Sequence, residues 1–212
     1  MPGFPARGLY AITGRHDEDA NLIAWARAVL EGGAVCLQYR EKHADAAGRL
    51  ARAEALAGVC RSLGRPLLVN DDPHLAAEVG AAGVHLGRDD PGIEAARALL
   101  GADALIGVSC YGDAGRAAEL AARGADYLAF GAFAPSRTKP EAAPADPAVL
   151  AIARRHGVPL VAIGGITPDN GGALLAAGAD LLAVIDGLAG TPDQARDAAR
   201  RYASLFAAPD SR

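Results

Sequence analysis

The chain has 212 residues, of which 51% are apolar, so it is long enough for one large core and short for two domains. Its formal net charge is −4 and it has no run of lysines or arginines, so we expect neither nucleic acid nor an anionic membrane as a partner. A single domain over residues 1–212 that acts on small molecules is the expectation.

The three cysteines, Cys36, Cys60 and Cys110, are an odd number without a C-x-x-C spacing, which favours free thiols in a reducing compartment. The N-terminal MPGFPARGLY lacks a basic segment followed by an apolar one, and Asp186 interrupts the apolar stretch ADLLAVIDGLAG. We therefore expect no signal peptide, no membrane span and a cytoplasmic location.

Short β-rich runs alternate with helical segments along the whole chain. The predicted strands are GLYAIT (8–13), AVCLQYR (34–40), PLLVN (66–70), GVHLG (83–87), LIGVS (105–109), DYLAFG (126–131), PLVAIG (159–164) and DLLAVI (180–185). Segments between them, such as NLIAWARAVL and GRAAELAARG, have apolar residues near helical spacing. Apolar strands that alternate with helices indicate a parallel sheet, and eight such units favour a (β/α)8 barrel.

An open doubly wound sheet is the structural alternative, although no strand is followed by G-x-G-x-x-G. One connection is long, GAFAPSRTKPEAAPAD (131–146) after strand 6, and such a loop is usually functional or mobile. Whether it closes over a substrate is left open, as is association into a homo-oligomer.

Polar residues at the strand ends would meet at one rim, because the active site of such a barrel lies at the C-terminal ends of its strands. His85 alternates with Val84 and Leu86 inside strand 4, and we interpret it as a hydrogen-bonded interior histidine rather than a catalyst. The rim residues in chain order are Gln38, Arg40, Lys42, Asn70, Asp71, Asp90, Ser109, Ser136, Thr138, Lys139, Gly164 and Gly165.

Two aspartates at this rim indicate a metal site. Strands 3 and 4 are neighbours at roughly 4.8 Å, so Asp71 and Asp90 can approach a common point, where two bare carboxylates would repel by roughly 4 kcal/mol. An oxygen-only ligand set suits Mg²⁺, which completes its shell with water and substrate phosphate. The alternative is that aspartates here begin helices, and we favour it for Asp72 and Asp89.

A group of cations at the same rim predicts a clamp for a diphosphate. Strand alternation places Gln38 and Arg40 on one face, and Lys42 follows just past the strand end. Together with Lys139 they could hold a diphosphate beside a metal. The alternative is a solvated rim of salt bridges, for example to Glu41.

A second phosphate site is predicted at IGGITPDN (163–170), where Gly165 allows close backbone approach and Thr167-Pro168 fit the N-cap and N1 positions of a helix. Backbone N–H groups there would bind an anion together with the loop at 185–187 after strand 8. A simple tight turn is the alternative.

The ordered motifs QYREK, VNDD, GVHLGRDD, GVSCY, FGAFAPSRTKP, VAIGGITPDN and GADLLAVIDG resemble those of the thiamine phosphate synthase family over nearly the whole chain. The resemblance implies a (β/α)8 enzyme that joins 4-amino-2-methyl-5-hydroxymethylpyrimidine diphosphate to a thiazole phosphate, releasing diphosphate and giving thiamine phosphate. Diphosphate would leave first, and the thiazole nitrogen would capture the resulting pyrimidine-methyl cation.

The resemblance also implies where each ligand binds. Asp71 and Asp90 would hold Mg²⁺, and the catalytic residues would be Arg40, Lys42, Ser109 and Lys139. The pyrimidine diphosphate site would comprise Gln38, Tyr39, Arg40, Glu41, Lys42, Asn70, Ser109 and Lys139. The thiazole phosphate site would comprise Ser136, Arg137, Thr138, Gly165, Ile185 and Asp186.

The chain departs from the usual family pattern at five positions. Asp186 stands where the family offers serine, and an ionised carboxylate 4 Å from a phosphate would oppose binding by about 1 to 4 kcal/mol. We expect this carboxylate to turn away, for instance to cap the final helix. The other departures are Tyr39 for leucine, Arg88 for glutamine, Tyr111 for histidine and Ser136 for threonine.

Three other functions remain as alternatives. The related thiazole tautomerases share the fold, but a tautomerase has no leaving diphosphate to neutralise, so the retained cations and acids favour the synthase. A class I aldolase could use Lys139 as a Schiff base, and a non-catalytic sensor could bind the same phosphorylated ligands.

Overall fold

The structure is a computed structural model, and it describes residues 3–15, 18–135 and 144–207. Eight parallel strands pair in sequence order, and β1 pairs with β8 to close a barrel. The strands are β1 (Gly8–Ile12), β2 (Ala34–Tyr39), β3 (Leu67–Asn70), β4 (Gly83–Leu86), β5 (Leu105–Tyr111), β6 (Tyr127–Phe130), β7 (Leu160–Ile163) and β8 (Leu181–Val184). The predicted (β/α)8 barrel is confirmed, and the open doubly wound sheet is wrong.

All eight predicted strands are present, with small differences at their ends. The largest is in β5, which continues two residues past the predicted end to Tyr111, so Ser109 lies inside the strand and not after it. The pairing of β5 with β6 shifts register between Ser109 and Tyr111, which lets the strand continue past this irregularity.

The helices follow the strands in strict alternation. They are α1 (Asp19–Glu31), α2 (Ala46–Ser62), α3 (Pro73–Glu78), α4 (Ile93–Leu100), α5 (Ala114–Ala122), α6 (Ala148–Ala153), α7 (Pro168–Ala177) and α8 (Pro192–Ser204). Short 3-10 turns occupy Arg154–His156 and Asp186–Leu188. Within the described ranges, none of these helices combines the length and apolarity needed to cross a membrane.

The positions of the helix N-termini test the prediction that Asp72 and Asp89 begin helices. Asp72 accepts a hydrogen bond from the Leu75 N–H and caps α3, as predicted. The same prediction for Asp89 is wrong, because α4 begins at Ile93 after Gly92 as N-cap, which leaves Asp89 outside the first turn.

The strands separate two apolar layers by alternation. In β1, Tyr10 and Ile12 face the barrel interior, whereas Leu9 and Ala11 pack beneath the helices. Near the C-terminal ends the interior residues of β6 and β8 are the small Ala129 and Ala183, which line an open cavity. Side chains therefore do not fill the barrel interior up to its C-terminal rim. The polar residues converge at this open end.

The three cysteines lie in these layers as buried, free thiols, as predicted. Burial raises the pKa of Cys60 and of Cys110 to about 12, so both remain protonated and inert at neutral pH.

Candidate active site

A cavity of about 920 Å³ opens at the C-terminal ends of the strands, and every strand contributes to its wall. This volume suits a site for small-molecule substrates. Nine of the predicted site residues line it: Gln38, Arg40, Lys42, Asn70, Asp71, Ser109, Gly165, Ile185 and Asp186. Four others, Ser136, Arg137, Thr138 and Lys139, lie outside the described residues.

The carboxylates of Asp71 and Asp90 lie together beside this cavity. Burial and the hydrogen-bonded carboxyl of Asp90 raise the pKa of Asp71 to about 6, although the charges of Lys42 and Arg40 act in the opposite direction. Asp90 is fixed by the Gly87 N–H, which donates to its Oδ2 at 2.6 Å. Burial and the nearby Asp90 carboxyl therefore disfavour the ionised form of Asp71 in this ligand-free arrangement.

The backbone also holds Asp71 in an unusual conformation. Its φ is 65°, in the left-handed region that non-glycine residues rarely adopt, and its N–H donates to the His85 carbonyl at 2.8 Å. Such strain costs about 1–3 kcal/mol and tends to occur at functional sites. A cation between the two carboxylates would relieve their repulsion, so the residues present fit a metal ion.

The donor set indicates which metal fits. Over the described ranges, no group of three or more His, Cys, Asp or Glu side chains could enclose a metal ion. Zn²⁺ usually requires such a set, whereas Mg²⁺ binds through one or two carboxylates and keeps water and substrate oxygens as its other ligands. The pair Asp71 and Asp90 matches the second pattern.

Arg40 is held in place by Thr13, a residue that the sequence did not single out. The buried Thr13 hydroxyl accepts from the Arg40 N–H at 2.7 Å and donates to the Arg40 carbonyl at 3.0 Å. This double contact joins the ends of β1 and β2 and fixes the backbone from which the Arg40 side chain enters the cavity.

Thr13→Val should therefore reduce activity without unfolding the barrel. Valine keeps the shape of threonine but removes both hydrogen bonds, each worth about 0.5–1.5 kcal/mol. We expect kcat/KM for the pyrimidine diphosphate to fall about tenfold, measured by steady-state kinetics. Thr13→Ser, which keeps the hydroxyl, is the control, and equal losses in both variants would contradict a role for the hydroxyl.

Strand alternation directs the side chains of Tyr39 and Glu41 away from the cavity. Tyr39 is buried in the layer beneath the helices. Glu41 accepts from the His43 N–H at 2.7 Å and pairs with Arg52 at 2.6 Å. That Tyr39 and Glu41 contact the substrate stays a prediction. In this arrangement only their backbone atoms could make such a contact.

The predicted phosphate turn is built around two glycines. Gly164 and Gly165 have φ values of 95° and 64°, and a Cβ on Gly165 would lie 2.7 Å from the Ala134 and Pro135 carbonyl oxygens. Thr167 is the N-cap of α7 and Pro168 follows at N1, as predicted.

The helix start is more fully bonded than the sequence suggested. Thr167 and Asn170 form a capping box, in which the side chain of each residue accepts a hydrogen bond from the backbone N–H of the other. An anion would therefore be held by the glycine turn rather than by these two groups. The Tyr202 hydroxyl donates to the Ile166 carbonyl at 2.9 Å, and the Trp25 indole donates to the Leu188 carbonyl at 2.7 Å, and these bonds fix the loops after β7 and β8.

Five polar side chains form a continuous chain of hydrogen bonds in the wall of the cavity, and all but Tyr127 line it. In order these are Gln38, Tyr10, Tyr127, His85 and Ser109. His85 is thus a hydrogen-bonded interior histidine, as predicted. Tyr10 and Tyr127 were missed, although strand alternation alone would have placed Tyr10 on the same face as Ile12 and Tyr127 on the same face as Ala129.

Residues 9–188 match the family model described as thiamine monophosphate synthase. The chain belongs to this family. It is 52% identical to the thiamine-phosphate synthase of Thiobacillus denitrificans over 98% of both chains, and 52% identical to that of Chromobacterium violaceum over 95% of this chain and 97% of the relative. The solved thiamine phosphate pyrophosphorylase of Pyrococcus furiosus is 30% identical, with a TM-score of 0.84 over 95% of this chain and 96% of that one.

Two of the departures from the usual family pattern contact each other. The Arg88 guanidinium lies 4.9 Å from the centre of the Tyr111 ring, and Arg116 lies 5.9 Å from the same ring. Tyr111 has a φ of 57°, and Arg116 also donates to the Ser109 carbonyl at 2.9 Å. Arg88 therefore packs on the ring of Tyr111, and of these two residues Tyr111 lines the cavity.

The structure decides only one part of the expectation for Asp186, its role as a helix cap, and the expectation that its carboxylate turns away from a phosphate stays a prediction. The final helix α8 is capped by Thr191, so the suggestion that Asp186 caps it is wrong. Asp186 instead begins the 3-10 turn after β8 and lines the cavity. The turn separates Asp186 from the helix start by too many residues for its carboxylate to act as the cap.

Proposed function

We propose that this family member is a thiamine phosphate synthase, a transferase that couples 4-amino-2-methyl-5-hydroxymethylpyrimidine diphosphate with a thiazole phosphate. The products are thiamine phosphate and diphosphate. The observation that carries the proposal is the pair of carboxylates with Arg40 and Lys42 beside it, in a cavity whose opposite wall contains the glycine turn after β7. Similarity to synthases over nearly the full chain supports it.

In this reaction the carbon–oxygen bond to diphosphate breaks first, and both electrons leave with the diphosphate. Arg40 and Lys42, with Lys139, neutralise the negative charge that grows on it. Asp71 and Asp90 would hold Mg²⁺, which supplies further positive charge to the leaving group when bound. The lone pair of the thiazole nitrogen then forms the new carbon–nitrogen bond, so no side-chain nucleophile is required.

The pyrimidine-methyl cation must meet the thiazole before it meets water. Apolar side chains form part of the wall of the cavity, among them Ile12, Val161, Ile163 and Ile185. Such a wall offers no oxygen to the cation and excludes water once the substrates fill the space. Gln38, Asn70 and Ser109 would orient the pyrimidine.

The thiazole phosphate would bind at the glycine turn after β7 and the turn after β8, together with Ser136, Arg137 and Thr138. Gly165→Ala should raise its KM about tenfold, because the added Cβ would meet the carbonyl oxygens of Ala134 and Pro135 and displace the turn. Gly172→Ala is the matched control. It lies exposed within α7 with nothing within 4 Å of its Cβ, so it should stabilise the protein by about 0.5–1 kcal/mol. A thiazole phosphate KM that is unchanged in Gly165→Ala would place the phosphate elsewhere.

One coupling assay separates this function from its alternatives. With both substrates and Mg²⁺ we expect thiamine phosphate and diphosphate in equal amounts, and loss of both products when Mg²⁺ is chelated. Isomerisation of a thiazole without diphosphate release would indicate a tautomerase. Trapping of a carbonyl substrate by borohydride would indicate an aldolase, and binding without turnover would indicate a sensor. The buried free thiols fit a cytoplasmic location, which we include in the proposal.

A further inference from the structure

The hydrogen-bonded chain in the cavity wall joins two of the predicted pyrimidine contacts. Gln38 on β2 donates through Nε2 to the Tyr10 hydroxyl at 2.8 Å, and the Tyr10 and Tyr127 hydroxyls are 2.9 Å apart. His85 contacts the Tyr127 hydroxyl through Nδ1 and the Ser109 hydroxyl through Nε2, both at 2.9 Å. Gln38 and Ser109, the two ends of the chain, line the cavity, and so do Tyr10 and His85.

A glycine makes the centre of this chain possible. Gly107 on β5 lies in register between His85 on β4 and Tyr127 on β6. A Cβ at position 107 would lie 1.8 Å from Cζ of Tyr127. Because Gly107 has no side chain, the Tyr127 ring can lie over β5 and reach His85. The Tyr127 ring also stacks on the ring of Phe4, and the two ring centroids are 4.0 Å apart.

The donors and acceptors along the chain give it a direction. Tyr10 already accepts from the Gln38 amide nitrogen, which cannot accept in return, so of these two partners only Tyr127 can take the Tyr10 proton. Tyr127 then accepts from Tyr10 and gives its own proton to Nδ1 of His85. An imidazole that accepts at Nδ1 carries its proton on Nε2, and this proton goes to the Ser109 oxygen.

We propose that Tyr10 and Tyr127 are positioning residues that hold His85 as the Nε2–H tautomer and thereby present the Ser109 hydroxyl as a donor to the pyrimidine substrate. The assignment of a pyrimidine to this cavity rests on the proposed function, whereas the tautomer does not. Burial is the largest cause that raises the pKa of Tyr10 and of Tyr127, which keeps both phenols protonated as the direction requires. The substrate acceptor would be a ring nitrogen of the pyrimidine or an oxygen of its diphosphate.

The tautomer can be measured on the ligand-free protein by NMR with ¹⁵N-labelled histidine at about pH 8, above the ordinary histidine pKa. His85→Gln identifies the His85 signals by their loss. In the wild-type protein we expect Nε2 to be protonated and Nδ1 to be unprotonated. A proton on Nδ1, or on both nitrogens, would overturn the proposal without the need for any tyrosine variant.

Tyr127→Phe then tests the cause, because phenylalanine keeps the ring stacked on Phe4 and removes only the hydroxyl. We expect its His85 to become a mixture of both tautomers. Tyr202→Phe is the matched control, since it removes a buried tyrosine hydroxyl that bonds to Ile166 and not to the chain, and its His85 should stay Nε2–H. An unchanged tautomer in Tyr127→Phe would contradict the proposal.

The kinetic consequence is specific to one substrate. Tyr127→Phe should lower kcat/KM for the pyrimidine diphosphate about tenfold and leave the thiazole phosphate KM within about twofold. A shifted tautomer with unchanged kinetics would show that the chain does not position the substrate. If the wild-type protein has no coupling activity, the proposed function fails, but the result for the tautomer stands.

Discussion

Asp71→Asn is expected to lower the Mg²⁺-dependent coupling rate by about 100-fold or more. Asparagine tolerates the left-handed backbone of position 71 and has nearly the size of aspartate, so the substitution changes the charge and little else. Because it also removes the repulsion from Asp90, the metal-free variant should unfold at the same temperature as wild type or a higher one. Mg²⁺ should no longer raise that temperature.

The neighbouring residue provides the control. Asp72→Asn makes the same change one position later, where the side chain caps α3 and pairs with Arg49 at 2.8 Å. Asparagine caps a helix as well as aspartate does, so we expect its coupling rate within about twofold of wild type. Thermal unfolding and diphosphate release, each with and without Mg²⁺, measure these effects. Normal Mg²⁺ dependence in Asp71→Asn would rule out this carboxylate as a metal ligand.

Arg40→Met should lower kcat by about 100-fold, because its guanidinium is assigned to the charge that grows on the departing diphosphate. Methionine keeps an apolar stem of similar length, and the Thr13 contacts use only the Arg40 backbone, so the fold should be retained. The KM for the thiazole phosphate should stay within about threefold, since that phosphate is assigned to the turns after β7 and β8.

Arg49→Met is the matched control for this change. Arg49 lies on α2 and pairs with Asp72. The substitution therefore removes an arginine without altering the cavity that Arg40 lines. We expect normal steady-state kinetics. If Arg40→Met raised only the thiazole phosphate KM, Arg40 would belong to the second substrate and the two sites would have to be exchanged.

Local patterns in the sequence were sufficient for the fold and for most of the rim. Each strand is a short apolar run bounded by turn or helix signals, and its alternation decides which side chains face inward, as Gln38 and Arg40 do. Asp72, Thr167 and Pro168 could be placed at helix starts because capping depends on residues only three positions apart. The pairing of Asp71 with Asp90 followed from the order of adjacent parallel strands.

The predictions that were wrong depended on where a helix begins. Asp89 was placed at the start of α4 and Asp186 at the start of α8, but these helices begin after Gly92 and Thr191. Several positions near each start could serve as a cap, and propensity alone does not distinguish them. The choice depends on how the preceding loop packs against the barrel, as when Asp90 bonds to Gly87.

Apolar periodicity and chain order are enough to predict the eight strands, the (β/α)8 barrel and the polar residues at its rim. The contact of Thr13 with Arg40 depends on the three-dimensional fold, and so does the link that Tyr10 and Tyr127 make from Gln38 to His85 and Ser109. Residues 10 and 127 are far apart in the chain, and their hydroxyls meet because closure of the barrel fixes the register of every strand. Gly107 then leaves the space that the Tyr127 ring needs, and neither the closure register nor this space is encoded in a local pattern.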